Sequence, residues 1–176
     1  MIRALLLAAA LTVRLQESGP VKPGAAAPSF GGWDLDERTV LTLASLRRPP
    51  APLLLTFGAS WCTACAKGLP KLQAFADKHH DVRLVLIDVE PDAAKARAFA
   101  TRYGLARSAV LDKFGAVAAR YGLSMEADGE RKTSLPRTFL LDSEGRVRAI
   151  YAEEGDDFEA TIEGDLASAA PPTQGR

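Results

Sequence analysis

Cysteine is scarce in this sequence, with two in 176 residues, Cys62 and Cys65. A pair this close together closes a very short loop that constrains little of the unfolded chain, which argues against a structural disulfide scaffold. Histidine is as rare, since His79 and His80 are the only two. At about 1.5 Å per helical residue they lie about 25 Å from Cys62, too far to share one ion. We therefore predict no metal site.

The sequence also lacks an excess of charge of either sign. Its 22 Lys and Arg residues balance its 22 Asp and Glu residues, and no basic run stands out. A protein that binds nucleic acid usually carries a basic patch for the phosphates. We therefore do not expect nucleic acid as a partner, and we expect a monomer.

A long hydrophobic run is missing as well. Residues 4–13, between Arg3 and Arg14, are largely apolar but too few to span a membrane comfortably. A short basic start followed by such a segment resembles a secretory signal, so we predict export to the periplasm, with residues 1–16 as signal peptide or membrane anchor. The alternative is a frayed helix on a cytosolic protein. Residues 17–29, rich in Pro, Gly and Ala, are interpreted as a linker, residues 30–169 as one domain and residues 170–176 as a flexible tail.

Strands alternate with helices along the predicted domain. Apolar runs of strand length predict buried strands at residues 52–57 and 82–88. Apolar positions three and four apart predict a helix from Cys62 to Lys78, kinked at Pro70. Further helices are predicted over residues 92–103, 114–121 and 156–169, and hairpins over residues 33–40 and 138–151. This order predicts an α/β fold, a β-sheet with helices on both faces and an N-terminal β-hairpin extension.

The stretch from Phe57 to Cys65 contains the candidate site. Two thiols at this spacing can close into a disulfide and reopen without disturbing the rest of the fold. Cys62 stands at a helix start, where unpaired backbone N–H groups and the helix dipole stabilise a thiolate. These residues predict a dithiol/disulfide redox site, whose chemistry requires no organic cofactor. We expect the site to exchange electrons with protein thiols or disulfides and with a further donor or acceptor. Asp88 ends a strand at the same edge of the sheet, where it could assist proton transfer, but we favour an ordinary turn residue.

Four features make the sequence resemble the thioredoxin fold, and within it the exported thiol–disulfide oxidoreductases of the TlpA/ResA type. The resemblance covers roughly residues 30–166. The features are the Trp-Cys-x-x-Cys motif at residues 61–65, a proline inside the following helix at Pro70, the segment 135–142 around Pro136, and the lead-in 41–46 to the first buried strand. Several motifs in the right order are far more specific than one.

The resemblance implies a thioredoxin-like fold with a central mixed β-sheet, and disulfide exchange with protein substrates, in a family connected with cytochrome c biogenesis. It also implies a role for each site residue. Cys62 is the exposed nucleophile and Cys65 the buried resolving thiol. Trp61 shields the site, and Pro136 lies beside the sulfurs in the cis form. Leu135 would then offer its backbone to an extended substrate segment.

The sequence departs from the family pattern at three places. Family members often carry a glutamate where Gly68 stands, and thioredoxins bury an aspartate where Thr56 stands. The residues between the cysteines, Thr63 and Ala64, include no proline. The missing carboxylates leave open a binding module with little turnover. They also leave Cys65 without an evident group to accept its proton.

A peroxiredoxin is a further alternative, because residues 137–142 also resemble that family. Peroxiredoxins need a Pro-x-x-x-Thr-x-x-Cys loop to bind peroxide, and Leu55 and Ala59 stand where the proline and threonine should be. The polar stretch 124–134 is longer than the family's usual connection. We expect it to be a loop that borders the active site and influences substrate choice. The alternative is a tolerated surface insertion without such a role.

Overall fold

The computed structural model describes residues 21–127, 130–152 and 157–168. The predicted signal or anchor, the first part of the predicted linker and the predicted tail lie outside these residues. Within the described ranges, none of the helices combines the length and the apolar character that crossing a membrane requires.

The described residues form nine strands and five helices. The strands are β1 (Gly31–Trp33), β2 (Val40–Thr42), β3 (Leu53–Gly58), β4 (Arg83–Asp88), β5 (Ala109–Leu111), β6 (Ser124–Ala127), β7 (Glu130–Thr133), β8 (Arg137–Leu141) and β9 (Val147–Tyr151). The helices are α1 (Leu43–Leu46), α2 (Thr63–Lys78), α3 (Ala93–Arg102), α4 (Ala116–Arg120) and α5 (Phe158–Ser168). Strands and helices therefore alternate as the sequence predicts, with boundaries shifted by a residue or two.

Seven strands form one mixed sheet in the order β2-β1-β5-β4-β3-β8-β9. β3 pairs in parallel with β4 on one side and antiparallel with β8 on the other. The predicted N-terminal hairpin is confirmed as β1 and β2, and β1 joins the sheet by pairing antiparallel with β5. The fold is thus the mixed α/β arrangement that the sequence predicts.

Strand β3 is central because its apolar run can be covered on both faces, and all six of its residues are buried. Successive side chains of a strand point to opposite faces. Leu54 accordingly belongs to a core cluster with residues of α2, α3 and α5, whereas Leu55 belongs to a second cluster with residues of α4. Each face of the sheet therefore has its own hydrophobic core, and the first of them contains both cysteines.

Part of the predicted linker is packed on the domain. The backbone N–H of Gly24 donates to Val147 O at 2.7 Å, and that of Ala27 donates to Gly145 O at 2.9 Å. Val147 N–H donates in return to Ala25 O at 2.9 Å. These bonds use the backbone alone, so they need no side-chain periodicity, and a stretch of Pro, Gly and Ala gives no sign of them.

The polar stretch predicted as a loop is a β-hairpin instead. β6 and β7 pair antiparallel with each other, for example Ser124 opposite Thr133, and form a separate two-stranded sheet. Ser134 N–H donates to Leu123 O at 2.8 Å and closes the base of the hairpin. Only Met125 and Ala127 are apolar in this stretch, so the sequence gives no alternation long enough to mark two strands.

Candidate active site

Cys62 and Cys65 are joined by a disulfide, with an S–S distance of 2.04 Å. Cys62 is the N-cap of α2, and its Sγ accepts the backbone N–H of Cys65 at 3.1 Å. The N–H groups and dipole of a helix N-terminus favour negative charge. When the disulfide opens, the same contact stabilises a thiolate on Cys62, which is the reactive form of the sulfur.

Both cysteines are buried in this oxidised form, which corrects the expectation of an exposed Cys62. Cys62 is 7% exposed and Cys65 is 3% exposed. The bond itself explains part of this burial, because each sulfur covers the other. The larger exposure stays with Cys62, and the preceding Trp61 is 57% exposed. An incoming molecule therefore meets the Trp61 ring before it meets the sulfurs.

Gly58, the last residue of β3, leaves the space that the sulfur of Cys65 occupies. A Cβ atom at Gly58 would lie 3.5 Å from Cys65 Cβ and 3.6 Å from Cys65 Sγ. Cys65 Sγ is also 4.0 Å from Phe57 O. Because a side chain longer than a methyl group would enter the space that the sulfur occupies, glycine is the residue that allows α2 to approach the sheet here.

The segment around Pro136 reaches the same end of the sheet. The Leu135–Pro136 peptide bond is cis, as the resemblance implies. Pro136 precedes Arg137, which pairs with Phe57, so Pro136 lies beside Gly58 on the side opposite β4. Leu135 is half-buried and packs against both core clusters. The fold therefore brings the predicted site residues to one end of β3.

The positions that lack a carboxylate are filled by groups that cannot replace it. Thr138 Oγ1 donates to Thr56 Oγ1 at 2.9 Å, and both residues are buried. Gly68 lies buried within α2. Neither Thr56 nor Gly68 offers a carboxylate that could take a proton at neutral pH.

Asp88 is not the turn residue that we favoured from the sequence. It is the last residue of β4, it pairs with Gly58, and it is 0% exposed. Its Oδ1 accepts the backbone N–H of Glu90 at 3.0 Å, whereas its Oδ2 has no hydrogen-bond partner among the described residues. Burial raises the pKa of this carboxyl to about 7, since desolvation disfavours its charged form; the Glu90 N–H opposes the shift and the Glu90 charge adds to it.

Sequence reasoning missed Glu90 and Ser60, which connect Asp88 to the surface. Glu90 is 5% exposed, and its carboxylate accepts a hydrogen bond from the Ser60 hydroxyl. Ser60 also lines an open groove of about 420 Å³ together with Lys95, Ala98, Phe99 and Arg102. The sequence signal for Glu90 was weak, since an acidic residue shortly after a strand is usually part of a solvated turn.

The histidines lie at the other end of α2 from the cysteines. His79 is the C-cap, and its ring stacks on Phe75 with the centroids 4.2 Å apart. Ligand atoms of His79, Glu159 and Glu163 lie within 4.8 Å of one another. Lys78 Nζ already pairs with Glu159 at 2.5 Å, and His79 pairs with Glu163 at 3.3 Å. Hydrogen bonds and ion pairs within the protein account for this cluster, as expected for the polar end of a helix.

Comparison with known proteins gives the family. Residues 23–150 match the model of the AhpC/TSA family, and the chain belongs to this family. It is 31% identical over 136 residues to thioredoxin-like protein YneN of Bacillus subtilis, covering 74% of this chain and 72% of YneN. It is 25% identical over 150 residues to thiol-disulfide oxidoreductase ResA of Bacillus thuringiensis, covering 84% of this chain and 79% of ResA.

The comparison of structures supports the same fold. The crystal structure of peroxidoxin BcpB from Mycobacterium tuberculosis matches with a TM-score of 0.72 at 21% identity, covering 86% of this chain and 99% of that chain. The fold is thus thioredoxin-like. With the Cys62–Cys65 disulfide at the start of α2, the protein is a thiol–disulfide oxidoreductase.

Proposed function

We propose that the protein exchanges disulfides with protein substrates through Cys62 as the attacking thiol and Cys65 as the resolving thiol. The main support for this proposal is the disulfide at the N-terminus of α2, where the Cys65 N–H donates a hydrogen bond to Cys62 Sγ at 3.1 Å. The thiolate of Cys62 attacks a substrate disulfide and forms a mixed disulfide. Cys65 then attacks Cys62 Sγ and releases the reduced substrate. The reverse sequence oxidises a substrate dithiol.

Substrate contact is assigned to Trp61, Leu135 and Pro136. Trp61 presents an exposed ring next to Cys62, and a large aromatic side chain at such a place supplies much of the binding energy of a peptide. Leu135 precedes the strand β8, so its backbone is suited to pair with an extended substrate segment. We place the protein outside the cytoplasm on the basic and apolar pattern of residues 1–14, with thiol proteins such as those of cytochrome c biogenesis as candidate substrates.

The first test is turnover. Full-length protein, kept reduced with dithiothreitol, should reduce the disulfides of a reporter protein such as insulin faster than dithiothreitol alone, measured by the turbidity of the released chains. The Cys62→Ser, Cys65→Ser double variant is the control for the fold without the thiols. A rate no higher than that of the control, with the native circular dichroism spectrum retained, would instead support a binding module with little turnover.

A thiol peroxidase is the second candidate, because the AhpC/TSA family and the peroxidoxin structure both point to it. Leu55 and Ala59 stand where a peroxidase needs proline and threonine, and both are completely buried apolar residues. They offer no hydroxyl to bind peroxide. The same protein preparation should therefore consume hydrogen peroxide no faster than a free thiol of equal concentration, and faster consumption would favour the peroxidase.

Trp61→Ala should lower the rate with a protein substrate about tenfold, since an aromatic anchor contributes on the order of 1–2 kcal/mol. The rate with a small aromatic disulfide should change little. Trp33→Ala is the matched control, because Trp33 is the only other tryptophan and is 47% exposed, but it lies in β1, three strands away from β3 in the sheet. Equal losses in the two variants, or equal losses with the two substrates, would contradict a contact between Trp61 and the substrate.

A further inference from the structure

Asp88 lies on the strand next to Gly58, the residue against which Cys65 packs. It pairs in parallel register with Gly58, and adjacent strands are about 4.8 Å apart. In β4, the alternate residues Leu84 and Leu86 face the core cluster that contains the cysteines. Asp88 continues this alternation, so its side chain leaves the sheet on the face where Cys65 Sγ lies against Gly58.

The groups around Asp88 leave one of its oxygens unused. Gly58 is its neighbour in β3 and Leu111 its neighbour in β5, and neither brings a charge. Glu90 is the charged residue that acts on Asp88, by a backbone N–H on Oδ1 and by its negative charge. Oδ2 is buried and has no hydrogen-bond partner among the described residues. A buried oxygen without a hydrogen bond costs free energy of folding. Such an oxygen is typical of a group that takes part in a reaction.

A carboxyl group with an ordinary pKa is a weak base at neutral pH, and Asp88 is a stronger base. With its pKa raised to about 7, it is present in both protonation states near neutrality. A group of this kind can take up a proton and give it back with little cost in either direction. A buried thiol needs such a partner, because desolvation disfavours the thiolate that must form before Cys65 can attack.

We propose that Asp88 accepts the proton of the Cys65 thiol during resolution and returns it in the reverse reaction. The proposal rests on the function proposed above, in which Cys65 is the resolving thiol. The S–H proton of Cys65 moves to Asp88 Oδ2, and the Cys65 sulfur attacks Cys62 Sγ. The Cys62–substrate S–S bond breaks as the Cys62–Cys65 bond forms. The substrate leaves as a thiolate, which takes its proton from Asp88 or from water; the two cysteines are oxidised and the substrate is reduced.

This role places the proton acceptor on β4. It is therefore not at Thr56 or Gly68, the two positions where related proteins carry a carboxylate. Thr56 lies in β3 on the same face, but its hydroxyl already bonds to Thr138. Gly68 lies within α2. Asp88 lies on the neighbouring strand, on the same face of the sheet as the Cys65 sulfur. The hydrogen bonds from the Glu90 backbone N–H to Asp88, and from the Ser60 hydroxyl to the Glu90 carboxylate, hold the end of this strand against the start of α2.

The test follows the decay of a mixed disulfide formed on Cys62. The complex with a small fluorescent thiol is formed in acid, where resolution is slow, and then jumped to a series of higher pH values with rapid quenching. In the unmodified protein the resolution rate should rise with an inflection near pH 7, where Asp88 loses its proton. Asp88→Asn should lose this inflection and resolve about 10²-fold more slowly at neutral pH.

Asp142→Asn is the matched control, because Asp142 is also buried but follows β8 at the opposite end of the sheet. It should keep the unmodified rate and pH profile. Equal profiles in the unmodified and Asp88→Asn proteins would overturn the role of Asp88. If instead no mixed disulfide forms on Cys62 in any of these proteins, the proposed function fails before Asp88 is reached, and the two failures are therefore distinguishable.

A second measurement needs no variant. The ¹³C shift of the Asp88 carboxyl is followed against pH in the oxidised and the reduced unmodified protein. The inflection should differ between the two forms, because only the reduced Cys65 carries a proton that the carboxyl can share. An identical inflection in both forms would show that the carboxyl and the thiol do not interact, and the proposal would be wrong.

Discussion

Cys62→Ser protein should lose disulfide reduction by at least about 10³-fold, because the step that forms the mixed disulfide has no nucleophile. Cys65→Ser protein should behave differently. It keeps the thiolate at the helix start, so it should attack a substrate disulfide and then accumulate the complex, since nothing inside the protein releases it. Non-reducing electrophoresis with mass spectrometry of the trapped species measures both outcomes.

The control for this pair of variants is Thr101→Ser, a small change at an exposed position of α3, outside the cysteine motif. It should leave both the rate and the level of trapped complex unchanged. A complex attached to Cys65 in the Cys62→Ser protein would contradict the assignment of roles. Since Cys65 is 3% exposed and Cys62 is 7% exposed, exposure alone does not decide between them. The position of Cys62 at the N-cap is what favours it.

The central part of the fold could be predicted because its residues carry strong local signals. An unbroken apolar run such as 53–57 can be stable only with both of its faces covered, and that places β3 inside the sheet. The helix α2 follows from apolar spacing, and its start follows from the cysteine motif. Asp92 and Gly104 bracket α3, with the Asp92 side chain accepting the N–H of Ala94 at 2.9 Å and Gly104 at φ +71°.

The parts that were missed depend on contacts that side-chain patterns do not encode. Residues 22–27 attach to the last hairpin through their backbone, so a Pro- and Gly-rich composition is compatible with both a linker and a bound segment. The hairpin of β6 and β7 contains only two apolar residues, Met125 and Ala127, which are too few to mark a strand by alternation. In both cases the sequence predicts an absence of helix correctly but cannot show which other backbone the segment pairs with.

The site, like the fold, could be predicted only where local motifs mark its residues. The two cysteines and Pro136 could be identified because motifs mark them, whereas the burial of Asp88 could not be predicted. An aspartate after an apolar run usually marks the exposed end of a strand. Its burial here depends on the strands and helices that surround it, namely β3, β5 and α2, which come from distant parts of the chain. Only the assembled fold shows that the carboxyl is enclosed.

Asp88→Asn should stabilise the oxidised protein at neutral and alkaline pH. The folded state raises the pKa of Asp88 from its ordinary 3.8 to about 7, so between these values the folded protein binds a proton that the unfolded chain releases. Unfolding is therefore favoured as the pH rises through this window, and the destabilisation is complete above about pH 7. Below about pH 4 both states are protonated and the carboxyl costs nothing. A shift of this size corresponds to roughly 4 kcal/mol, which the asparagine variant avoids.

Urea unfolding of the oxidised proteins on the acid side of this window, within it and above it measures the effect. The gain in the free energy of unfolding should be small in acid and grow as the pH rises. Asp142→Asn should show no such gain, because the Asp142 carboxylate accepts the Arg146 N–H at 2.7 Å and pairs with Arg148 at 3.0 Å. If Asp88→Asn is no more stable than the unmodified protein above neutral pH, the Asp88 charge is compensated in the folded state. The high basicity on which its role with Cys65 depends would then be absent.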